Sequence, residues 1–327
     1  MTALARPAPA KLNLGLHVLR RRADGFHDLE TVFLPIGWAD TLAAAPASDL
    51  ALTTTDPALP TDGRNLVVRA ARALAAWGGV EAGARLHLDK RVPYGAGLGG
   101  GSSDAAAALR LLAELWELAV PDDVLVDLAL GLGSDVPFFL DGRPALATGQ
   151  GERLAPLLGA AGAPYRCPFW IVVAVPDVHV GTAEAYGLVT PRDRDRPALA
   201  DVVRSNDLAR WRAELANDFQ APVEAAHPAI AAARRALVAG GAGYASLSGS
   251  GSAVFGAFES EAAARAAARS ATGCRVWVEA RGGEQVEQVE QVEQVEQVEQ
   301  VEQVEQVEQG AGRRPKSSAA LPPRPVA

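Results

Sequence analysis

The chain has 327 residues, enough for two domains or one large one, and 49% of them are apolar, so a sizeable buried core is expected. The formal charge of −8 is concentrated at the far end. Over residues 284–327 nine glutamates stand against four basic residues, which leaves −3 for residues 1–283 and excludes nucleic acid or an anionic membrane as a partner held by bulk charge.

Cys167 and Cys274 form neither a disulfide framework nor a metal motif, and the five histidines are scattered, which argues against a zinc site. With no apolar leader and no run of about 18 apolar residues, a cytoplasmic protein is expected. Of the 31 Lys and Arg residues only Lys11, Lys90 and Lys316 are lysine, and two of these fall in stretches that look chemical. A compact ammonium can be needed there rather than a planar fork, or the placement is chance.

In chain order, residues 8–18 alternate with the period of a half-buried strand. Leu12, Leu14, Leu16 and Val18 are expected to face the core, and Lys11, Asn13, Gly15 and His17 to share the other face, as a site floor or a solvated one. Residues 20–28 form a charged turn centred on Asp24-Gly25 before a second apolar run, Thr31 to Ile36, which reads as a hairpin. Phe26 and His27 at its tip either stack on and hydrogen-bond a base or pack down as loop residues.

Asp40 to Pro60 is mixed and turn-rich, with little chemistry expected. Asn65 is placed to cap a helix that reaches about Trp77 and stops at Gly78-Gly79. Leu86 and Leu88 alternate in a strand that reaches Lys90.

The stretch Pro93-Tyr94-Gly95-Ala96-Gly97-Leu98-Gly99-Gly100-Gly101-Ser102-Ser103-Asp104 follows, and the helix formers Ala105 to Ala108 begin where it stops. The first N–H groups of a helix lack internal partners and its dipole is positive there, so a glycine loop feeding a helix is a phosphate cradle; a flexible linker is the alternative. Ser102, Ser103 and Asp104 are candidate caps. The run matches neither the P-loop nor the dinucleotide fingerprint.

Leu109, Leu112, Leu115 and Trp116 follow at helical spacing, as core. Another helix runs from about Pro121 to Gly131-Leu132-Gly133, and Asp135 after it is a cap or a working carboxylate. Gly149-Gln150-Gly151-Glu152 marks a turn. The apolar run Phe169 to Val175 reads as a strand opening the second half of the chain. Thr182 is a candidate cap, Asn217-Asp218 precedes Ala-rich helical sequence, and Ser246 to Ser252 leads into a strand. A helix over 261–271 and a strand near Val276-Val278 follow. From Glu284 to Gln309 the triplet Glu-Gln-Val repeats; a period of three forms no helical stripe, so 284–327 reads as a low-complexity appendage, or else as a self-association segment.

Taken together, these motifs resemble the GHMP small-molecule kinases over about residues 7–280. Pro9-Ala10-Lys11-Leu12-Asn13-Leu14 is similar to the first family motif and Pro93 to Ser103 to its ATP loop. Gly133 to Phe139, with Gly149 to Glu152, and Ser248 to Ser252 resemble the later ones. The resemblance implies an α/β (α+β) fold of two domains, 1–160 and 161–283, with ATP and substrate between them and the tail 284–327 appended. It further implies phosphoryl transfer from ATP to the 2-hydroxyl of a cytidine-diphosphate-linked methylerythritol in non-mevalonate isoprenoid synthesis.

Residue by residue, Asp135 matches the family base and Lys11 the partner that holds it ionised and stabilises developing charge. Pro93, Tyr94, Gly95, Ala96, Gly97, Leu98, Gly99, Gly100, Gly101, Ser102 and Ser103 match the ATP-binding stretch, with Mg²⁺ implied and Ser103 as its candidate ligand. Asn13, Phe26, His27, Thr182 and Tyr186 match the acceptor pocket. The family's Gly-Tyr-His stands here as Gly25-Phe26-His27, which keeps a stacking face and removes a hydroxyl. Small-molecule partners and a monomer or homodimer are expected. A homoserine or mevalonate kinase of the same fold, or a non-catalytic ATP-binding regulator, are the competing readings.

Overall fold

Two long strands joined by the tip around Asp24-Gly25 set the frame: β1 (Leu4–Arg21) pairs antiparallel with β2 (His27–Ala47). They belong to a computed structural model that describes residues 3–81 and 83–283; the Glu-Gln-Val repeat and the tail after it lie outside the described residues. The early part of β2 also pairs with β5 (Ala145–Gly149) and its later part with β4 (Gly83–Asp89). With β3 (Ala51–Thr54) parallel to β4 and β6 (Arg153–Pro156) beyond β5, the order is β3-β4-β2-β5-β6 with β1 laid on β2.

Helices α1 (Leu66–Gly78), α2 (Gly100–Leu115), α3 (Asp122–Leu132) and α4 (Val136–Asp141) accompany this sheet. The α1 boundaries follow the sequence: Asn65 accepts the Val67 N–H, and Gly79 closes the helix in a left-handed conformation. The four alanines Ala105 to Ala108 are all buried, so α2 lies close against Leu42, Leu86 and Leu88 of the sheet and Leu74 of α1. Truncating one of those leucines to alanine costs about 2–5 kcal/mol.

A second sheet of order β10-β7-β9-β8 is built from β7 (Trp170–Pro176), β8 (Tyr244–Leu247), β9 (Val254–Phe258) and β10 (Cys274–Glu279), all antiparallel. The apolar run in β7 is continuous because both its faces are covered. Ile171 and Val173 meet Leu12, Leu14, Val32 and Leu34 of the first sheet, whereas Val172 and Ala174 meet helical residues such as Val223, Ile230 and Leu237. The helices of this part are α5 (Thr182–Leu188), α6 (Leu199–Arg204), α7 (Leu208–Glu214), α8 (Gln220–Ala226), α9 (Pro228–Ala239) and α10 (Glu261–Ser270).

Four local expectations need correction. The stretch from Asp40 is not turn-rich until after Ala47: β2 runs on through it, with Asp40 fully buried inside. Helix α2 starts at Gly100, within the glycine run, and its cap is Gly99 in a left-handed conformation, so Ser102, Ser103 and Asp104 lie inside the helix and cap nothing. Thr182 is the first residue of α5, and the cap position is held by Gly181. The register shift between Leu14 and Leu16 breaks the alternation of β1, so Gly15 and His17 do not continue the floor begun by Lys11 and Asn13. A Cβ on Gly15 would lie 2.8 Å from Leu199 Cδ2, and His17 is buried.

Candidate active site

Lys11 and Asn13 are two apart on β1 and so point to the same side of the strand, where both are buried. Lys11 Nζ donates to Asn13 Oδ1 at 2.5 Å, rests 5.0 Å above the Phe33 ring centre, and stands 3.6 Å from Asp135 Oδ2. Burial drives the Lys11 ammonium below its ordinary pKa, and Asp135 opposes that drop. Asn13 is fixed in turn: its Nδ2 donates to Thr31 Oγ1 at 2.9 Å, and that hydroxyl donates to the Gly15 carbonyl at 2.6 Å.

Asp135 occupies the cap position of α4 but makes no capping bond, and its side chain is about one-third exposed. Between the two fates open to it, the free carboxylate beside Lys11 is the one observed. The turn Gly149 to Glu152 closes over it. A Cβ on Gly151 would lie 3.2 Å from Asp135 Oδ1, and Glu152 holds the turn by accepting the Gln150 N–H at 2.5 Å.

The glycine loop lies directly across from this pair. Lys11 N–H donates to Leu98 O at 2.9 Å, and Lys11 Nζ reaches Gly97 O at 3.3 Å. Gly97 has φ +79, and a Cβ there would lie 2.2 Å from Ser248 O, so only glycine fits. Ala96 and Leu98 turn into the core while Gly95, Gly97 and Gly99 face a cavity. Tyr94 is exposed and stacks on His179, their ring centres 6.5 Å apart.

Beneath the loop a buried cluster holds its two ends. Lys90 Nζ is 2.5 Å from Asp40 Oδ2 and 2.7 Å from Asp104 Oδ2, and Asp40 Oδ1 accepts the N–H groups of Arg91 at 2.6 Å and Val92 at 2.8 Å. Burial pushes the Asp104 carboxyl up to about 7 although Lys90 pulls it down. Burial also acts to lower the Lys90 ammonium, but the Asp104 and Asp40 carboxylates outweigh it and the net shift is upward. One of the two lysines singled out by its rarity thus holds structure, and the other faces the cavity.

The cavity has a volume of about 1120 Å³. Of the expected site residues, Lys11, Asn13, Phe26, His27, Gly95, Gly97, Gly99, Ser102, Asp135, Thr182 and Tyr186 line it together. Pro93, Tyr94, Ala96, Leu98, Gly100, Gly101 and Ser103 do not line it. Ser103 is buried with its hydroxyl unpartnered among the described residues. At the far end Tyr186 stacks on His27 at 4.7 Å, which presents His27 to the cavity. Burial lowers the His27 pKa and Arg21 adds to the shift; burial raises that of Tyr186 to about 12, with Asp135 adding to it.

Arg21, Ser134, Gln150 and Ser250, not among the expected site residues, also line the cavity. Ser134, Gln150 and Ser250 lie inside family-like motifs, whereas Arg21 has no signal beyond a run of arginines. Asn217, expected only to precede helical sequence, fastens a turn. Its Nδ2 donates to Leu247 O and Gly249 O, both at 2.9 Å, which holds the Ser248 turn against the glycine loop.

The family model "GHMP kinases N terminal domain" matches residues 65–143 and "GHMP kinases C terminal" matches residues 197–273. A 4-diphosphocytidyl-2-C-methyl-D-erythritol kinase of Salinibacter ruber is 58% identical over 268 residues, covering 82% of this chain and 94% of that protein. The chain belongs to the GHMP kinases.

As a GHMP kinase it is also similar to a 4-diphosphocytidyl-2-C-methyl-D-erythritol kinase of Prosthecochloris aestuarii, 44% identical over 82% of this chain and 93% of the relative. A crystal structure of 4-(cytidine 5'-diphospho)-2C-methyl-D-erythritol kinase superposes with a TM-score of 0.71 at 40% identity, over 86% of this chain and all of that one. Homoserine kinase from Cytophaga hutchinsonii, at 17% identity and a TM-score of 0.65 over 87% of this chain and 96% of that one, shares the fold. The two-domain mixed α/β fold of the GHMP kinases is thereby the fold of this chain. Among its described residues no helix is long and apolar enough to cross a membrane.

Proposed function

We propose that this GHMP kinase transfers the γ-phosphoryl group of ATP to the 2-hydroxyl of 4-diphosphocytidyl-2-C-methyl-D-erythritol, giving the 2-phosphate and ADP. This is a step of non-mevalonate isoprenoid precursor synthesis. The observation that carries the reading is the Lys11–Asp135 pair, 3.6 Å apart on the wall of one cavity that also takes in the glycine loop and the Phe26-His27 hairpin tip. The likeness to the Salinibacter and Prosthecochloris kinases supports the choice of acceptor.

Asp135 is the base. As the acceptor oxygen bonds to the γ-phosphorus and the bond to the β-phosphate oxygen breaks, the hydroxyl proton passes to the Asp135 carboxylate. Lys11, held by Asn13 and Gly97, keeps that carboxylate ionised and meets charge developing on the transferred group. Gly95, Gly97, Gly99 and Ser102, the part of the Pro93–Ser103 stretch that lines the cavity, hold the phosphates beside the N-terminus of α2. Mg²⁺ carried with ATP would neutralise phosphate charge; Ser103, with its unpartnered hydroxyl, would be the candidate ligand, although it is buried away from the cavity lining. Asn13, Thr182 and Tyr186 line the acceptor side. Phe26 stacks on the cytosine ring while His27 reads its edge.

The two substrates lie between a domain of residues 1–160 and one of 161–283, a division supported by the change from the first sheet to the second between β6 and β7. A cytoplasmic location fits the two free thiols, Cys167 and Cys274.

The test is ADP release with Mg-ATP in the presence of 4-diphosphocytidyl-2-C-methylerythritol, with homoserine and mevalonate as parallel acceptors. Release that depends on the cytidine compound is expected. Release with another acceptor alone would discard the acceptor assignment and keep the kinase.

A further inference from the structure

Arg20 and Arg21 end β1 and Arg22 follows it. Arg20 pairs with Asp28 at 2.5 Å, and Arg22 pairs with Asp24 at 2.9 Å and Asp28 at 3.2 Å. Both outer arginines are therefore spent on the carboxylates of the hairpin's outer side. Successive side chains of a strand point to opposite faces, so Arg21 stands on the other side. Its cross-strand partner there is His27, directly opposite in the β1–β2 register. Arg21 and His27 both line the cavity, and Arg21 is close enough to help depress the His27 pKa.

Among the described residues Arg21 has no carboxylate partner. The cavity wall carries one other cationic side chain, Lys11, which is buried beside the one carboxylate of the wall, Asp135. The guanidinium is thus the one positive charge of the lining with no counterion. A nucleoside-diphosphate-linked alcohol carries two negative charges between its base and its reacting hydroxyl. The diphosphate of such an acceptor lies between its base and its reacting hydroxyl, and Arg21 lines the same cavity as Phe26, His27 and Asp135.

We propose that Arg21 binds the diphosphate of the acceptor and thereby selects a nucleoside-diphosphate-linked alcohol over an uncharged one. This rests on the acceptor reading given above. A planar fork suits the task, since paired N–H groups meet two phosphate oxygens at once.

The experiment compares inhibition by CDP and by cytidine, each competing with the acceptor, in the wild type, Arg21→Gln and Arg21→Lys. In Arg21→Gln the advantage of CDP over cytidine is expected to shrink about tenfold, the worth of a charge-assisted contact, with cytidine inhibition and the KM for ATP within about twofold of wild type. Arg21→Lys is expected to recover part of it. Equal weakening of CDP and cytidine, or no change in either, would overturn the proposal. A wild type that turns over the acceptor but loses nothing on substitution refutes Arg21 alone. A wild type that neither turns over the acceptor nor is inhibited by CDP refutes the acceptor reading and this proposal with it.

Discussion

Ser248 donates its hydroxyl to the Gly97 carbonyl at 3.0 Å, across 151 positions of sequence. The same oxygen accepts the Asn13 N–H at 3.3 Å, so one buried hydroxyl joins the glycine loop to the strand that carries Lys11. Ser248→Ala strands a buried N–H group and weakens the seat of the loop. A loss of about 1–3 kcal/mol in urea unfolding is expected, together with a raised KM for ATP. Unfolding and KM both matching wild type would show that the hydroxyl holds nothing.

Asp135→Asn removes the proposed proton acceptor and leaves the shape of the site. The side chain is partly exposed and caps no helix, but it is the counterion of the buried Lys11, so a modest fall in the thermal midpoint is expected. Turnover is expected to fall about 10²–10⁴-fold, the usual worth of a positioned base. Rapid-quench turnover with saturating substrates measures it, and a loss under about threefold would reassign the base.

Lys90→Met leaves Asp40 and Asp104 buried without their cation, and a loss of about 3–5 kcal/mol at neutral pH is expected. The sign of its pH dependence follows from Asp104. Burial already holds that carboxyl at about 7, far above its unfolded value, and removing Lys90 raises it further. The folded variant then binds a proton that the unfolded chain has given up, so its stability falls as pH rises. Guanidinium unfolding at pH 5 and pH 8 should show the larger deficit at pH 8.

His17 gives the opposite slope. Burial lowers its pKa to about 4; Arg196 and Arg192 add to that effect and Asp218 opposes it. The unfolded chain takes up a proton near pH 6.5 that the folded chain refuses, so this contribution is complete above that pH and is lost on acidification toward pH 4. From pH 7 to pH 5 the loss amounts to about 2 kcal/mol. Measured by urea unfolding, the difference between those two pH values should shrink by that amount in His17→Gln; an unchanged difference would place the titration elsewhere.

The hairpin, the α1 caps and the glycine loop were legible because each is written in neighbouring residues: alternation, an Asn ahead of an apolar period, glycines ahead of alanines. What stayed hidden depends on partners far along the chain. Asp40 reads as one acid in a mixed stretch, and its burial makes sense only once Lys90 and Asp104 are seen to meet it. Asn217 gave no sign that it would fasten the Ser248 turn. The floor drawn on β1 was right for Lys11 and Asn13 and failed at Gly15 and His17, because a register shift carries no signal in the alternation itself.

The β1–β2 hairpin is joined along its middle to the glycine loop, and near its tip His27 stacks on Tyr186 while Phe26 stays exposed. Lys11 and Asn13 are bonded to Leu98, Ser248 and Thr31, whereas Phe26 at the tip is exposed and touches the cavity from outside that mesh. Substitutions at the tip are expected to change which acceptor is bound without displacing Lys11, the proposed partner in phosphoryl transfer. Taste and trade are thus inherited on one ribbon but can drift separately, and new acceptors for this scaffold are to be sought by varying residues 21–27.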